Sequence, residues 1–284
     1  MMVQYFQVMQ LETASNLISA QGVINLVNAL DKCQNLSILK LNLDRNQIGD
    51  NGLLHLACLI QNRQKFDTLA IQILKNSITE KGSSKLFEAI GTCQNLKNLE
   101  INFNKNLIEA AGAQNLGICL SQSLNLVNLN IKLYQNYIGA KGATDLGLGL
   151  SKCINLRDLT LYLFENNIKD QGTVSLASSL ENLNQLQNLV LNLDVNKIRN
   201  YGVATLGSFI KNYQNLKNLD LQINVNNINE RGIINMIKKL SKCEKLIVFE
   251  LSFEENEIDD DNIYLQVFSK ALKIKRLVTL NCGY

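Results

Sequence analysis

Apolar and polar residues alternate through Leu39, Lys40, Leu41, Asn42, Leu43 and Asp44, which gives residues 39–43 one buried face and one wet face. That period of two predicts a strand. Asn46 and Ile48 follow, then Gly52, and then an apolar residue at every fourth position, clearest in Gly142, Leu146, Leu150 and in Gly172, Leu176, Leu180. Such spacing marks one face of a short helix. The whole pattern returns every thirty residues: asparagine stands at 16, 46, 76, 106, 136, 166, 196, 226 and 256, and isoleucine two places after each. Glycine recurs from 22 to 232, giving way to Asn262 in the ninth copy, and the strand segment recurs from 69–73 to 249–253. Nine copies in one register predict a solenoid of strand, turn, helix and turn, in which each unit buries its apolar face only against its neighbours.

The strings LNLDRNQI, LYLFENNI and LNLDVNKI, with their L-x-L-x-x-N-x-I spacing, resemble the leucine-rich repeat family from Phe6 to Tyr284. Long units with a true helix are similar to the ribonuclease-inhibitor type. The resemblance implies an α/β solenoid, a curved horseshoe with parallel strands on the concave face and helices on the convex face. It implies a single unit over 1–284, with about nine repeats and a partial tenth strand. It also implies that Asn46, Asn76, Asn106, Asn136, Asn166, Asn196, Asn226 and Asn256 turn inward as a ladder that satisfies the backbone of each bend. The extra leucine step in Leu36, Leu39, Leu41, Leu43 departs from the family's usual core and predicts a slightly longer strand.

Composition changes this picture little. The chain has 284 residues, 46% of them hydrophobic, and lacks an apolar run of membrane-spanning length. The start, MMVQYFQVMQL, does not read as a secretory leader. With 28 basic and 25 acidic residues interspersed, the net charge of +3 offers no broad field, which argues against nucleic acid and membrane surfaces as partners. The register already includes Phe6, Met9 and Leu11, and Tyr284 falls in a tenth, shifted strand, so neither end carries a polar capping repeat. A piece of a longer protein, ends capped by a partner and end-to-end association are the expectations that follow.

Candidate chemistry mostly dissolves into the repeat. DRNQIGDNG places Asp44, Asn46 and Gly49 as in a calcium loop, but Ile48 and His55 fill ligand positions, and Leu74, Tyr134 and Phe164 replace Asp44 in other copies. No metal or other cofactor is expected. Of seven cysteines, Cys33, Cys93, Cys153 and Cys243 share the turn after the helix, where copies two repeats apart lie about 10 Å from each other, too far for a disulfide. His55 is the only histidine, so neither a zinc site nor a catalytic Cys/His pair can be assembled, and the chain reads as no enzyme. Free thiols point to a reducing, cytoplasmic compartment. Gly147-Leu148-Gly149 lacks the lysine and hydroxyl of a phosphate loop and suggests that small residues let helix approach sheet. The sequon Asn35-Leu36-Ser37 falls where asparagine recurs at 95, 125, 155 and 215, and the acidic run at 254–261 reads as solvated surface.

Specificity is therefore expected on the outward strand positions, those of Lys40, Asn42, Asp44 and Arg45 in each copy. Most are polar, Asp194 among them, whereas Leu74, Tyr134, Tyr162 and Phe164 are not. The three rings, with Lys132 beside Tyr162 and able to lie over it or to meet a partner carboxylate, form an aromatic cluster with the makings of an interface hot spot. These residues predict a protein partner on the sheet face, and hence a scaffold or interaction module. The resemblance adds one alternative, a regulatory protein such as an activator of small GTPases.

Overall fold

The computed structural model describes residues 6–258 and 262–282. Its strands are β1 (Val8–Glu12), β2 (Ile38–Asn42), β3 (Thr68–Gln72), β4 (Asn98–Asn102), β5 (Asn128–Lys132), β6 (Asp158–Tyr162), β7 (Asn188–Asn192), β8 (Asn218–Gln222), β9 (Val248–Ser252) and β10 (Thr279–Cys282). They pair in chain order as one parallel sheet, with β1 and β10 at its edges. Between them run α1 (Ala20–Leu30), α2 (Gly49–Gln61), α3 (Glu80–Gly91), α4 (Glu109–Gln122), α5 (Gly139–Leu150), α6 (Lys169–Ser179), α7 (Asn200–Ile210), α8 (Glu230–Leu240) and α9 (Ile263–Ala271). Partners across the sheet differ by thirty in number, as Leu41 with Ile71, except that Leu280 opposes Phe249, an offset of thirty-one.

The core lies between the sheet and the helices and is continuous along the molecule. Leu39, Leu41 and Leu43 point into it from the sheet, while Leu53, Leu56 and Ile60 meet them from α2. The strands are not longer than usual. β1 to β9 hold five residues each and β10 four, and β2 ends one short of Leu43, because the chain bends there. Ladder-like bonds still continue into the bend, from Leu43 N–H to the Gln72 carbonyl (2.8 Å) and from Arg45 N–H to that of Leu74 (2.7 Å).

Each bend is built on a left-handed residue followed by the recurrent asparagine. Ser15, Arg45, Lys75, Lys105, Gln135, Glu165, Val195, Val225 and Glu255 all have φ between 51° and 60°, and none is glycine. For Val195 and Val225 the β-branch makes this conformation costly, so the surrounding bonds must hold it. Asn106 illustrates those bonds. Its Nδ2 donates to the carbonyls of Phe103 (2.9 Å), Asn104 (3.3 Å) and, one repeat back, Ile73 (2.8 Å), while its Oδ1 accepts the N–H groups of Asn76 and Ile78, both at 3.0 Å. From Asn46 to Asn256, each side chain likewise donates to a carbonyl thirty-three residues back, for example Leu43 for Asn76 and Leu163 for Asn196. A second row lies in the turn after the helix, where Asn125, Asn155 and Asn215 each donate to a carbonyl of the preceding repeat.

The glycines act through close approach between neighbouring helices. Gly52 and Gly142 lie inside the first turn of their helices rather than before it, with ordinary backbone angles. A Cβ on Gly142 would stand 3.0 Å from the Ala110 Cα of the preceding helix. Gly147 corrects the sequence reading, since a Cβ there would stand 3.1 Å from the Leu176 Cα of α6, and one on Gly149 would run into the Gly117 carbonyl oxygen of α4, so the small residues bring helix to helix and not helix to sheet. Asp50 and Asp170 add polar links along the same layer by accepting the N–H groups of Thr79 (2.8 Å) and Arg199 (2.7 Å) at the next helix start.

Cys33, Cys93, Cys119, Cys153 and Cys243 are buried free thiols, and Cys58 is exposed. Burial pushes the thiol of Cys93 up to about 11 and those of Cys119, Cys153 and Cys243 to about 12, which keeps them protonated and inert near neutrality. Tyr284 and the end of the acidic run, residues 259–261, lie outside the described residues.

Replacing Asn136 by alanine removes donors to the carbonyls of Phe103 (2.9 Å) and Tyr134 (3.0 Å) and the acceptor for Ile108 N–H (3.3 Å). The expected loss is about 1–3 kcal/mol in urea unfolding, because buried backbone groups are left unpaired. A loss below a few tenths of a kcal/mol would show that water replaces the amide without cost.

Candidate protein-docking face

The strands present their polar positions on the side away from the helices, and hydrogen bonds tie these positions into rows that cross the sheet. One row opens each strand: Asn98 donates to Thr68 Oγ1 (2.9 Å), Asn128 to Asn98 (2.6 Å), Asn188 to Asp158 and Asn218 to Asn188. The sequence reading missed this row because it followed the leucines from 39 onward. The amides at 98, 128, 188 and 218 were its available signal.

A second row caps the ends of the strands. Here the side chains of Asp44, Asn104, Asp194 and Asn224 accept the backbone N–H groups of Leu74 (2.7 Å), Tyr134 (2.7 Å), Asn224 (2.6 Å) and Glu254 (2.7 Å), each one repeat further on. Where the preceding copy offers no acceptor, an asparagine two residues back serves instead. Asn42, Asn102 and Asn192 accept from Asp44 (3.2 Å), Asn104 (3.2 Å) and Asp194 (3.1 Å) in this way. Asp194 keeps the place on this face that the sequence suggested but is covered to 7% exposure, and burial raises its carboxyl above the ordinary 3.8 against the bonds from Asn224 and Asn192.

Tyr134 and Phe164 interrupt this second row. Their rings meet edge to face with centroids 4.6 Å apart at 82°, a favoured aromatic geometry. Together with Tyr162, Lys132, Asn104 and Asn192 they line a cleft of about 460 Å³. The three rings are half-buried, not fully exposed, and Tyr134 and Phe164 cover part of each other. The cation expected over Tyr162 is elsewhere. Lys132 opposes Tyr162 in the strand register, yet its ammonium turns toward Glu100 (3.6 Å), while Lys105 sits 5.1 Å from the centre of the Tyr134 ring. Leu74, two strands before Tyr134, is half-buried and does not line this cleft. A trough of about 530 Å³ extends over β1 to β6, lined by residues such as Lys40, Ala70, Glu100 and Asn130. Within it the Asn130 Oδ1 is buried without a hydrogen-bond partner.

No protein-family model and no curated protein matches the sequence. Among solved structures, an internalin (inlF) from Listeria monocytogenes str. 4b F2365 is similar over 99% of this chain and 68% of its own, with TM-score 0.54 and 21% identity. The fold is a leucine-rich repeat solenoid. Two further solved structures are similar to this chain at lower scores. Internalin C2 (inlC2) of the same strain has TM-score 0.47 and 15% identity over 93% of this chain and 92% of its own. Actin-binding site 2 of leiomodin-1 has TM-score 0.40 and 13% identity over 51% and 79%. Among the described residues of the solenoid, no helix is long and apolar enough to cross a membrane.

Burial first, and the charge of Asp220 second, raise the Tyr162 phenol above its ordinary 10. Asp220→Asn is expected to lower that value while leaving it above 10, since the burial remains. Alkaline titration of the Tyr162 ring by carbon NMR measures the change, and an unchanged midpoint would mean that Asp220 does not act on the cleft.

Proposed function

We propose that this leucine-rich repeat chain is a non-enzymatic interaction module that grips a protein partner on its sheet face, with Tyr134, Tyr162 and Phe164 as the anchor. The observation carrying this reading is the cleft they line: an aromatic break in a face otherwise closed by amide and carboxylate hydrogen bonds. Clustered rings that are half-buried before binding lose little conformational freedom on docking and offer large apolar area, as interface hot spots do. Lys132, Asp194 and Leu74 belong to the same face, Lys132 at the rim of the cleft, Asp194 beneath the neighbouring strand end and Leu74 further toward the first repeats. The internalin likeness supports the fold on which such a face is displayed. The full helix in every unit supports the ribonuclease-inhibitor-like type. Six free cysteines among the described residues support a reducing compartment, and we place the protein in the cytoplasm.

Changing Tyr134, Tyr162 and Phe164 together to serine is expected to weaken binding of a partner purified with the wild-type chain by at least about 2 kcal/mol, roughly thirtyfold in Kd. Because the rings pack on each other, the same variant also loses about 1 kcal/mol of stability, so affinity is measured well below its melting point. Charge reversal at Lys238, Lys239 and Lys242, on and just after α8, is expected to leave binding unchanged. Normal binding by the serine variant together with loss in the lysine variant would move the interface to the helical side. For the compartment, titration of protein purified without reductant, then unfolded, is expected to return seven thiols per chain, matching the seven cysteines. A reproducible deficit of two would overturn the cytoplasmic reading.

A further inference from the structure

The row of acceptors that caps the strand ends has one gap. From Asp44 to Glu254 eight residues occupy equivalent places at thirty-residue intervals, and the backbone N–H of seven of them reaches a side-chain oxygen. The acceptor comes either from the residue thirty back or from the residue two back. For Phe164 those two residues are Tyr134 and Tyr162, neither of which supplies one, and among the described residues no hydrogen bond from its N–H is found. A backbone donor without a protein partner at an open cleft is available to an acceptor from outside. Tyr134, Tyr162 and Phe164 all line the cleft, so the place where the missing oxygen belongs opens to an incoming group.

The chemistry of that group can be read from the seven filled positions. Five acceptors are asparagine amides, Asn42, Asn102, Asn104, Asn192 and Asn224, and two are carboxylates, Asp44 and Asp194. Charge near the gap selects between them. Lys132 is paired with Glu100, and Lys105 is engaged over the Tyr134 ring. On the other side stand Asp194 and Asp220, whose burial already disfavours their own ionisation. A further carboxylate would add to that repulsion, whereas a neutral amide oxygen would not.

We propose that the cleft is a recognition subsite for an asparagine or glutamine side chain of the protein partner, whose carboxamide oxygen takes the Phe164 N–H and completes the interrupted row. This rests on the sheet-face docking reading and specifies its central contact. In the neighbouring repeats an asparagine stands at the place of Tyr134 or Tyr162, and Asn104 and Asn192, which also line the cleft, are available to the carboxamide NH₂.

The test uses the full chain, nitrogen-labelled, and three small probes: N-acetyl-asparagine amide, N-acetyl-aspartate amide and N-acetyl-alanine amide. The asparagine probe is expected to move the Phe164 amide proton resonance saturably, at least threefold further than either other probe. An equal or larger response to the aspartate probe makes the subsite one for acids, and to the alanine probe one for backbone carbonyls. Either outcome, or no response to any probe, overturns the proposal. Hydrogen exchange supplies a second readout without a ligand. The Phe164 amide of the wild type is expected to exchange at least tenfold faster than those of Tyr134 and Asp194. Tyr162→Asn, which provides the acceptor two residues back, is expected to abolish that difference and the probe response while leaving the amide spectrum of distant repeats in place. Equal protection in the wild type would reveal an internal acceptor and overturn the proposal. Neither readout involves the partner. Loss of partner binding in the aromatic serine variant with a silent Phe164 amide would leave the docking reading standing and remove only this contact.

Discussion

The constraint on which everything else hangs is the bend after each strand, where the chain leaves the sheet deep inside the molecule and must still satisfy its backbone groups. One asparagine amide does this at every turn, giving two or three hydrogen bonds to carbonyls and accepting one or two N–H groups, as Asn106, Asn166 and Asn226 do. With the bend satisfied, a left-handed residue can precede it without glycine, the isoleucine after it can turn into the core, and the helix can begin at a constant distance from the strand. The thirty-residue period is the length of chain that closes one such circuit.

Most of this architecture was legible because the repeat writes each structural demand nine times. Asn136 and Ile138 could be assigned from their copies alone, since nothing but position is shared by all nine. The candidate site was legible only in outline. Tyr134, Tyr162 and Phe164 stood out as departures from a polar column, and the structure brings all three to one cleft. Side-chain direction was not legible. Register allowed Lys132 to lie over Tyr162 or to meet a partner carboxylate, but says nothing of Glu100, whose carboxylate lies diagonally on the preceding strand and takes the ammonium. Asp194 looked exposed by alternation and is covered through its bond from the N–H of Asn224, a bond that depends on the bend and not on the strand. The glycines failed for a related reason. Sequence marks a position as small without naming what comes close, and for Gly149 that was another helix's backbone.

The sheet face therefore carries two kinds of information at once. Its amide rows are part of the scaffold, because each bond joins consecutive repeats and resists their sliding. The aromatic interruption is free of that duty, and so it can be shaped for a ligand at small cost to the solenoid. Specificity in such a molecule arises where a repeat stops obeying its neighbours.

The direction of the asparagine bonds has a further consequence. Asn76 reaches back to Leu43, Asn106 to Ile73 and Asn196 to Leu163, so every bend is completed by the repeat that follows it in the chain. A repeat emerging from the ribosome is therefore unfinished until its successor has been made, and order spreads along the nascent polypeptide with one open bend always at the growing front. The molecule is vectorial in the way a zip is, with each tooth locked by the next.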